Sequence, residues 1–210
     1  MFSGMHKLKQ LQLPATFDTS NVTDMSFMFA NDHRLHALNL SHFNTQNVIN
    51  MQQMFFGMYA LSSIDLSNFD TKKVTLMDGM FNGCVGLTSI NVSNFNTENV
   101  ENMNGMFAFT DSVEELDLSS FRTPKVKTFR AMFFTLNPNR LKKIYVSSDF
   151  DTSAAFAYQN TDTLANIDIF HMRNQLVGGN GTTIANTAVE FRNLLKIDRP
   201  GVPGLFTRKP

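Results

Sequence analysis

Few residues in this 210-residue chain combine the type and spacing that chemistry requires. His33, His36 and His42 share one short stretch, but neither neighbouring positions nor an i, i+4 pair joins them, and His6 and His171 stand apart. The histidines therefore predict no metal site. Cys84 is the only cysteine, which excludes a disulfide scaffold and the usual cysteine-based zinc site. With no His or Asp partner in its sequence context, it reads as a small buried side chain rather than a nucleophile. The carboxylates form no acid–base pair, and no Gly-Xaa-Ser-Xaa-Gly, His-Glu-Xaa-Xaa-His or Walker pattern occurs. Gly178-Gly179-Asn180-Gly181 reads as a tight turn, because no Lys-Ser/Thr pair follows it. The expectation is a protein that is not an enzyme and holds no cofactor.

Binding by a surface is a different chemistry, and one set of residues suits it. Asn39, Asp65, Asn91 and Asp117 recur every 26 residues, and Tyr145 follows two residues late. Each lies between two apolar residues of a short alternating segment, so the set is expected to form an outward polar ladder. Glu115 and Lys143 flank it, as do Ser63 and Ser89, and Ser41, Ser67, Ser93, Ser119 and Ser147 follow. Two readings remain. The ladder is either a binding groove for a protein or glycan, with Tyr145 as aromatic anchor, or a solvated face whose Asn and Ser side chains bond their own neighbours. Asp65 and Asp117 are expected two strands apart, ~9–10 Å, too far to share one calcium ion. A second column, Thr19, Thr45, Thr71, Thr97 and Thr123, allows ice binding as a remote alternative, although each Thr also suits the cap of a helical turn.

The elements that position these residues follow from the same period. Phe17, Phe43, Phe69, Phe95 and Phe121 keep the 26-residue step, as do Val22, Val48, Val74, Val100 and Val126. Met28, Met54, Met80, Met106 and Met132 do likewise, each followed by Phe. Met25, Met51, Met77, Met103 and Phe129 form a further apolar column. Ten of the 21 Phe fall in the two Phe columns, and nine of the 13 Met in the two Met columns, so these residues serve packing first. Within each unit the Leu35-x-x-Leu38-x-Leu40 half predicts a strand, and Val22, Met25, Met28 and Phe29 predict a helical stripe. One unit cannot bury its own apolar face, so the units must stack.

Composition agrees with such a stack. The hydrophobic fraction of 42% supports a core, and 18 charges of each sign leave no electrostatic footprint for nucleic acid. No run approaches ~18 apolar residues, so no segment is expected to insert in a membrane. The start lacks the basic and apolar regions of a signal peptide. Met1-Phe2 aligns with Met28-Phe29, so the chain begins within a repeat and is expected to be a fragment of a longer protein. About six units, the first partial, are expected over 1–163, and 164–210 is expected to cap the same domain. Leu164, Ile167 and Ile169 suggest a seventh strand, and Val189 to Leu195 a helical turn.

Units such as Ile64-Asp-Leu-Ser-Asn-Phe-Asp-Thr-Lys-Lys-Val-Thr-Leu-Met-Asp-Gly-Met-Phe-Asn-Gly-Cys84 resemble the BspA-like leucine-rich repeat, also known as DUF285. The resemblance covers nearly the whole chain, and Leu176-Val-Gly-Gly-Asn-Gly-Thr-Thr with Pro203-Gly-Leu-Phe-Thr is similar to the segment that closes such arrays. The links Ala30–Leu35 and Phe56–Leu61 depart from the family's Gly-Cys-Ser-Ser-Leu. The resemblance implies a secreted or wall-anchored bacterial surface protein that adheres to a host or cell-surface protein or glycan. The fold expected is an α/β repeat solenoid, a right-handed leucine-rich-repeat-like stack with a parallel sheet on one side and short helices on the other. A structural stalk within a larger surface protein is the alternative role.

Overall fold

A computed structural model describes residues 1–137, 139–153, 155, 169–183, 196–200 and 202–209. Each 26-residue unit forms one rung of a stack, and the rungs are joined by a repeated set of backbone hydrogen bonds. Met25, Phe27, Phe29 and Asn31 donate their N–H groups to the carbonyls of Asn50, Gln52, Met54 and Phe56, at 2.7–2.9 Å. Met51, Gln53, Phe55 and Gly57 pass the pattern to the next rung, and so on to Phe109 and Phe134. Parallel bridges run through Asp24, Asn50, Leu76, Asn102 and Thr128 along the same seam.

This arrangement corrects the expected α/β solenoid. Among the described residues helical geometry is confined to Ser153 and Ala155, with a short 3₁₀ turn at 169–170. The spacing of Val22, Met25, Met28 and Phe29 fits a helical stripe, but the backbone cannot continue as one. Phe27 and Asn31 have φ of 56° and 63°, and their equivalents Gln53, Gly57, Gly79, Gly83, Gly105, Phe109 and Ala131 are also left-handed. A left-handed residue every fourth position interrupts a right-handed helix. The local bonds accordingly close tight turns, Met28 to Met25 and Ala30 to Phe27, and the remaining donors go to the next rung.

The parallel sheet is also smaller than expected. Among the described residues only β1 (Glu115–Leu118), β2 (Lys143–Val146) and β3 (Thr207–Arg208) pair as strands, parallel and in the order β1-β2-β3. In earlier rungs Asn68 Nδ2 donates to the carbonyls of Leu40 and Phe43, and Asn94 Nδ2 to those of Leu66 and Phe69.

The core lies inside the rungs. Phe2, Phe29, Phe55, Phe81, Phe107, Phe133 and Phe170 stack successively with centroids 5.4–6.1 Å apart and planes within 20°. Near-parallel offset rings suit the aromatic quadrupole, and each buried ring adds about 1.5–3 kcal/mol of apolar transfer. The Met columns fill the space beside them, and Met51, Met54, Met77 and Met80 are fully buried. The Thr column is buried as well. Each hydroxyl donates to a backbone carbonyl of the next rung; Thr19 Oγ1, for example, donates to the Asn44 carbonyl and accepts the Asn44 N–H. The helix-cap role expected for these threonines is thus replaced by a bond between rungs.

At the C-terminal side, Ile169 and His171 carbonyls receive Phe133 and Thr135, and Phe170 continues the ring stack. Arg173 is fully buried there, its Nε donating to the Phe133 carbonyl and its Nη1 lying 3.5 Å from Asp111. Burial pushes this guanidinium down to about 10, opposed by the Asp111 charge. The Gly178–Gly181 turn wraps Asp198, whose carboxylate accepts from the N–H groups of Asn180 and Thr182 and from the Thr182 hydroxyl. Ile169 lies in the 3₁₀ turn rather than a seventh strand. Leu164 and Ile167, the segment Val189–Leu195, and the expected boundary at 163/164 fall outside the described residues.

Candidate functional site

The strongest candidate lies on the small sheet, where β1 and β2 bring four of the seven ladder residues together. The parallel register sets Glu115 beside Lys143 and Asp117 beside Tyr145. Leu116, Leu118, Ile144 and Val146 point inward and are buried, so the alternate positions face out. Tyr145 is half-buried, and its phenol donates to Glu115 Oε2 at 3.1 Å, which fixes the ring across the strands. Lys209, just after β3, donates to Asp117 Oδ2. Partial burial opposes ionisation of Asp117, but the bonds from Lys209 and Ser119 outweigh it and hold the carboxyl below its ordinary range. The result is one half-exposed aromatic ring bordered by two acids and two lysines.

Asn39, Asp65 and Asn91 are not part of this cluster. They are exposed on successive earlier rungs, and each side-chain oxygen accepts the N–H two residues on, from Ser41, Ser67 and Ser93. Asp117 does the same with Ser119. The bond from Ser67 holds the Asp65 carboxyl below the usual range. These side chains close Asx turns, which Asn and Asp favour because the short side chain reaches its own backbone.

Lys209 escaped the sequence reading, since it joins Asp117 across 92 positions with no periodic signal. Two other features were also missed. His6, His33 and Tyr59 stack along one side with centroids 5.0 and 4.5 Å apart. A polar cleft of about 550 Å³ opens among Glu98, Asn99, Arg122, Lys125, Asp149 and neighbours. Its charges satisfy one another: Arg122 reaches Glu98 at 3.7 Å and Asp149 at 2.9 Å, and Lys125 donates to Asn99.

His36 bonds the Arg34 carbonyl and His42 packs edge-on to Phe43, and no group of His, Cys, Asp or Glu among the described residues has metal-binding geometry. The Cys84 thiol is fully buried and pushed up to about 12 by that burial, so it holds no thiolate at neutral pH.

Fold and site together define a repeat protein of stacked rungs with a small polar-aromatic sheet face. The chain belongs to the DUF285 family, described as Mycoplasma protein of unknown function, whose model matches residues 1–90 and 57–169. No curated protein and no solved structure matches the chain significantly.

Proposed function

We propose that the chain is a non-catalytic interaction module of a bacterial cell-surface protein, adhering to a host or neighbouring-cell protein or glycan. The observation that carries this reading is Tyr145, held by Glu115 on paired strands while its ring stays half-exposed. A rigid aromatic with few rotamers loses little entropy on contact, and the flanking Lys143, Asp117 and Lys209 supply polar groups at its rim. The resemblance of the repeats to BspA-like proteins supports the extracellular location.

A structural stalk is the second reading, favoured by one specific feature. Asn39, Asp65, Asn91 and Asp117 spend their side-chain oxygens on their own turns, so most of the ladder serves the rung. The remote ice-binding alternative rested on the Thr column, whose side chains are buried with their hydroxyls bonded between rungs.

The test is binding of the whole chain to a glycan array and to immobilised mucin and matrix proteins. The proposal expects saturable binding to at least one, reduced about tenfold or more by Tyr145→Ala with the circular dichroism unchanged. Absence of binding across the set favours the stalk.

A further inference from the structure

On the outer face of the small sheet, one cross-strand charge pair is held open. Glu115 and Lys143 are direct partners on β1 and β2, and both side chains are exposed. Opposite charges at such positions attract. Here the Tyr145 phenol, two residues further along β2, donates to Glu115 Oε2 at 3.1 Å and holds the carboxylate on the diagonal. Among the described residues the Lys143 side chain forms no ion pair or hydrogen bond, whereas Lys142 beside it reaches Glu114 at 2.9 Å and Lys209 meets Asp117.

The face thus carries a free ammonium next to a half-exposed ring, with the engaged carboxylates of Glu115 and Asp117 on the neighbouring strand. Each carboxylate keeps lone pairs that can accept from hydroxyl groups. One open cation, one aromatic surface and two hydroxyl acceptors suit a ligand with a single negative charge set among hydroxyls. A ligand with many negative charges meets Glu115 and Asp117 as repulsion, which disfavours nucleic acids and runs of acidic residues. The backbone groups of β1 and β2 pair with each other, so this face offers an extended peptide no ladder to join.

Resting on the reading of the chain as an interaction module, we propose that this face binds a sugar bearing one anionic group, a carboxylate or a sulfate. Lys143 meets the anionic group, and the Tyr145 ring lies against the C–H face of the sugar. Tyr145 has a positioning role as well, because its phenol keeps Glu115 off Lys143 and so keeps the ammonium available.

The test is calorimetric titration of the whole chain with sialyllactose, sulfated lactose and uncharged lactose, which separates carboxylate from sulfate and both from the neutral sugar. At least one charged sugar is expected to bind about tenfold or more tightly than lactose, with the gap narrowing as salt is added. Lys143→Gln is expected to remove the gap and Lys143→Arg to keep it. Tyr145→Phe retains the ring but releases Glu115 to pair with Lys143. It is expected to leave lactose binding within about twofold and to lose most of the preference for charge. Equal affinity for all three sugars, or a preference that Lys143→Gln leaves intact, overturns the inference while the adhesive reading stands. Tighter binding of tetraglutamate than of any sugar also overturns it and assigns the face to protein. No binding of any of the three sugars overturns it as well; only silence on the glycan array and on mucin and matrix proteins removes the reading beneath it.

Discussion

The Thr45 hydroxyl accepts the N–H of Asp70 at 2.8 Å and donates to the carbonyl of the same residue at 2.9 Å. One buried oxygen thus satisfies both backbone groups of a residue 25 positions away, and Thr19, Thr71 and Thr97 repeat the arrangement.

Replacing this threonine by valine keeps the shape and removes both bonds. Thr45→Val leaves the Asp70 N–H and carbonyl without their partner, at an expected cost of about 2–4 kcal/mol for two orphaned groups. Thr45→Ser keeps the hydroxyl and is expected to lose only about 1 kcal/mol, the transfer term of one methyl. Urea unfolding of the two variants, with unchanged m, separates the bonding from the packing.

Left-handed backbone explains a second pair of variants. Ala131 has φ of 54°, in the column where Gly79 and Gly105 stand. Ala131→Gly removes a strain of about 1–2 kcal/mol, partly offset by the flexibility glycine adds to the unfolded chain, so a net gain of up to about 1 kcal/mol is expected. Gly79→Ala is expected to destabilise, because φ is 62° and its Cβ would lie 2.8 Å from the Gln53 Cγ. Thermal unfolding of both variants reads the opposite signs.

Those same positions mark where sequence and structure part. The Phe and Met columns were legible because stacking repeats a side chain at every rung, and Phe29, Phe55, Phe81 and Phe107 do stack. The helices were misread because a three-residue apolar spacing also fits consecutive tight turns. Gly79 and Gly105 in one column, with Gly57 and Gly83 in another, were the available sign that the backbone turns left there. The threonines were read as side-chain hydrogen-bonding groups, but their partners lie in the next rung and not in the next turn. Of the site, the pairing of Asp117 with Tyr145 followed from the repeat, whereas Lys209 arrives from a segment outside it.

Asp78 supplies a pH test. Burial raises its carboxyl above the ordinary 3.8, against the bond that Gln52 donates at 2.5 Å, and its Oδ1 has no partner. A carboxyl whose folded pKa exceeds its unfolded value binds its proton more tightly in the native state. Its contribution is therefore complete below pH 3.8 and is lost as pH rises through the folded value. Asp78→Asn is expected to keep the Gln52 contact, to stabilise the protein at pH 7, and to flatten this part of the stability profile. Denaturant midpoints between pH 3 and pH 7, compared with the unmodified chain, give the difference directly.

Amide hydrogen exchange, resolved residue by residue over 51–57, tests the rung architecture most directly. The N–H groups of Met51, Gln53, Phe55 and Gly57 cross to the next rung, whereas those of Met54 and Phe56 close local turns and that of Gln52 meets the Asn50 side chain. The first four are predicted to exchange only with global unfolding, and the intervening three through faster local opening. Uniform protection of all seven, with a helical far-ultraviolet spectrum, would contradict the stack of turns.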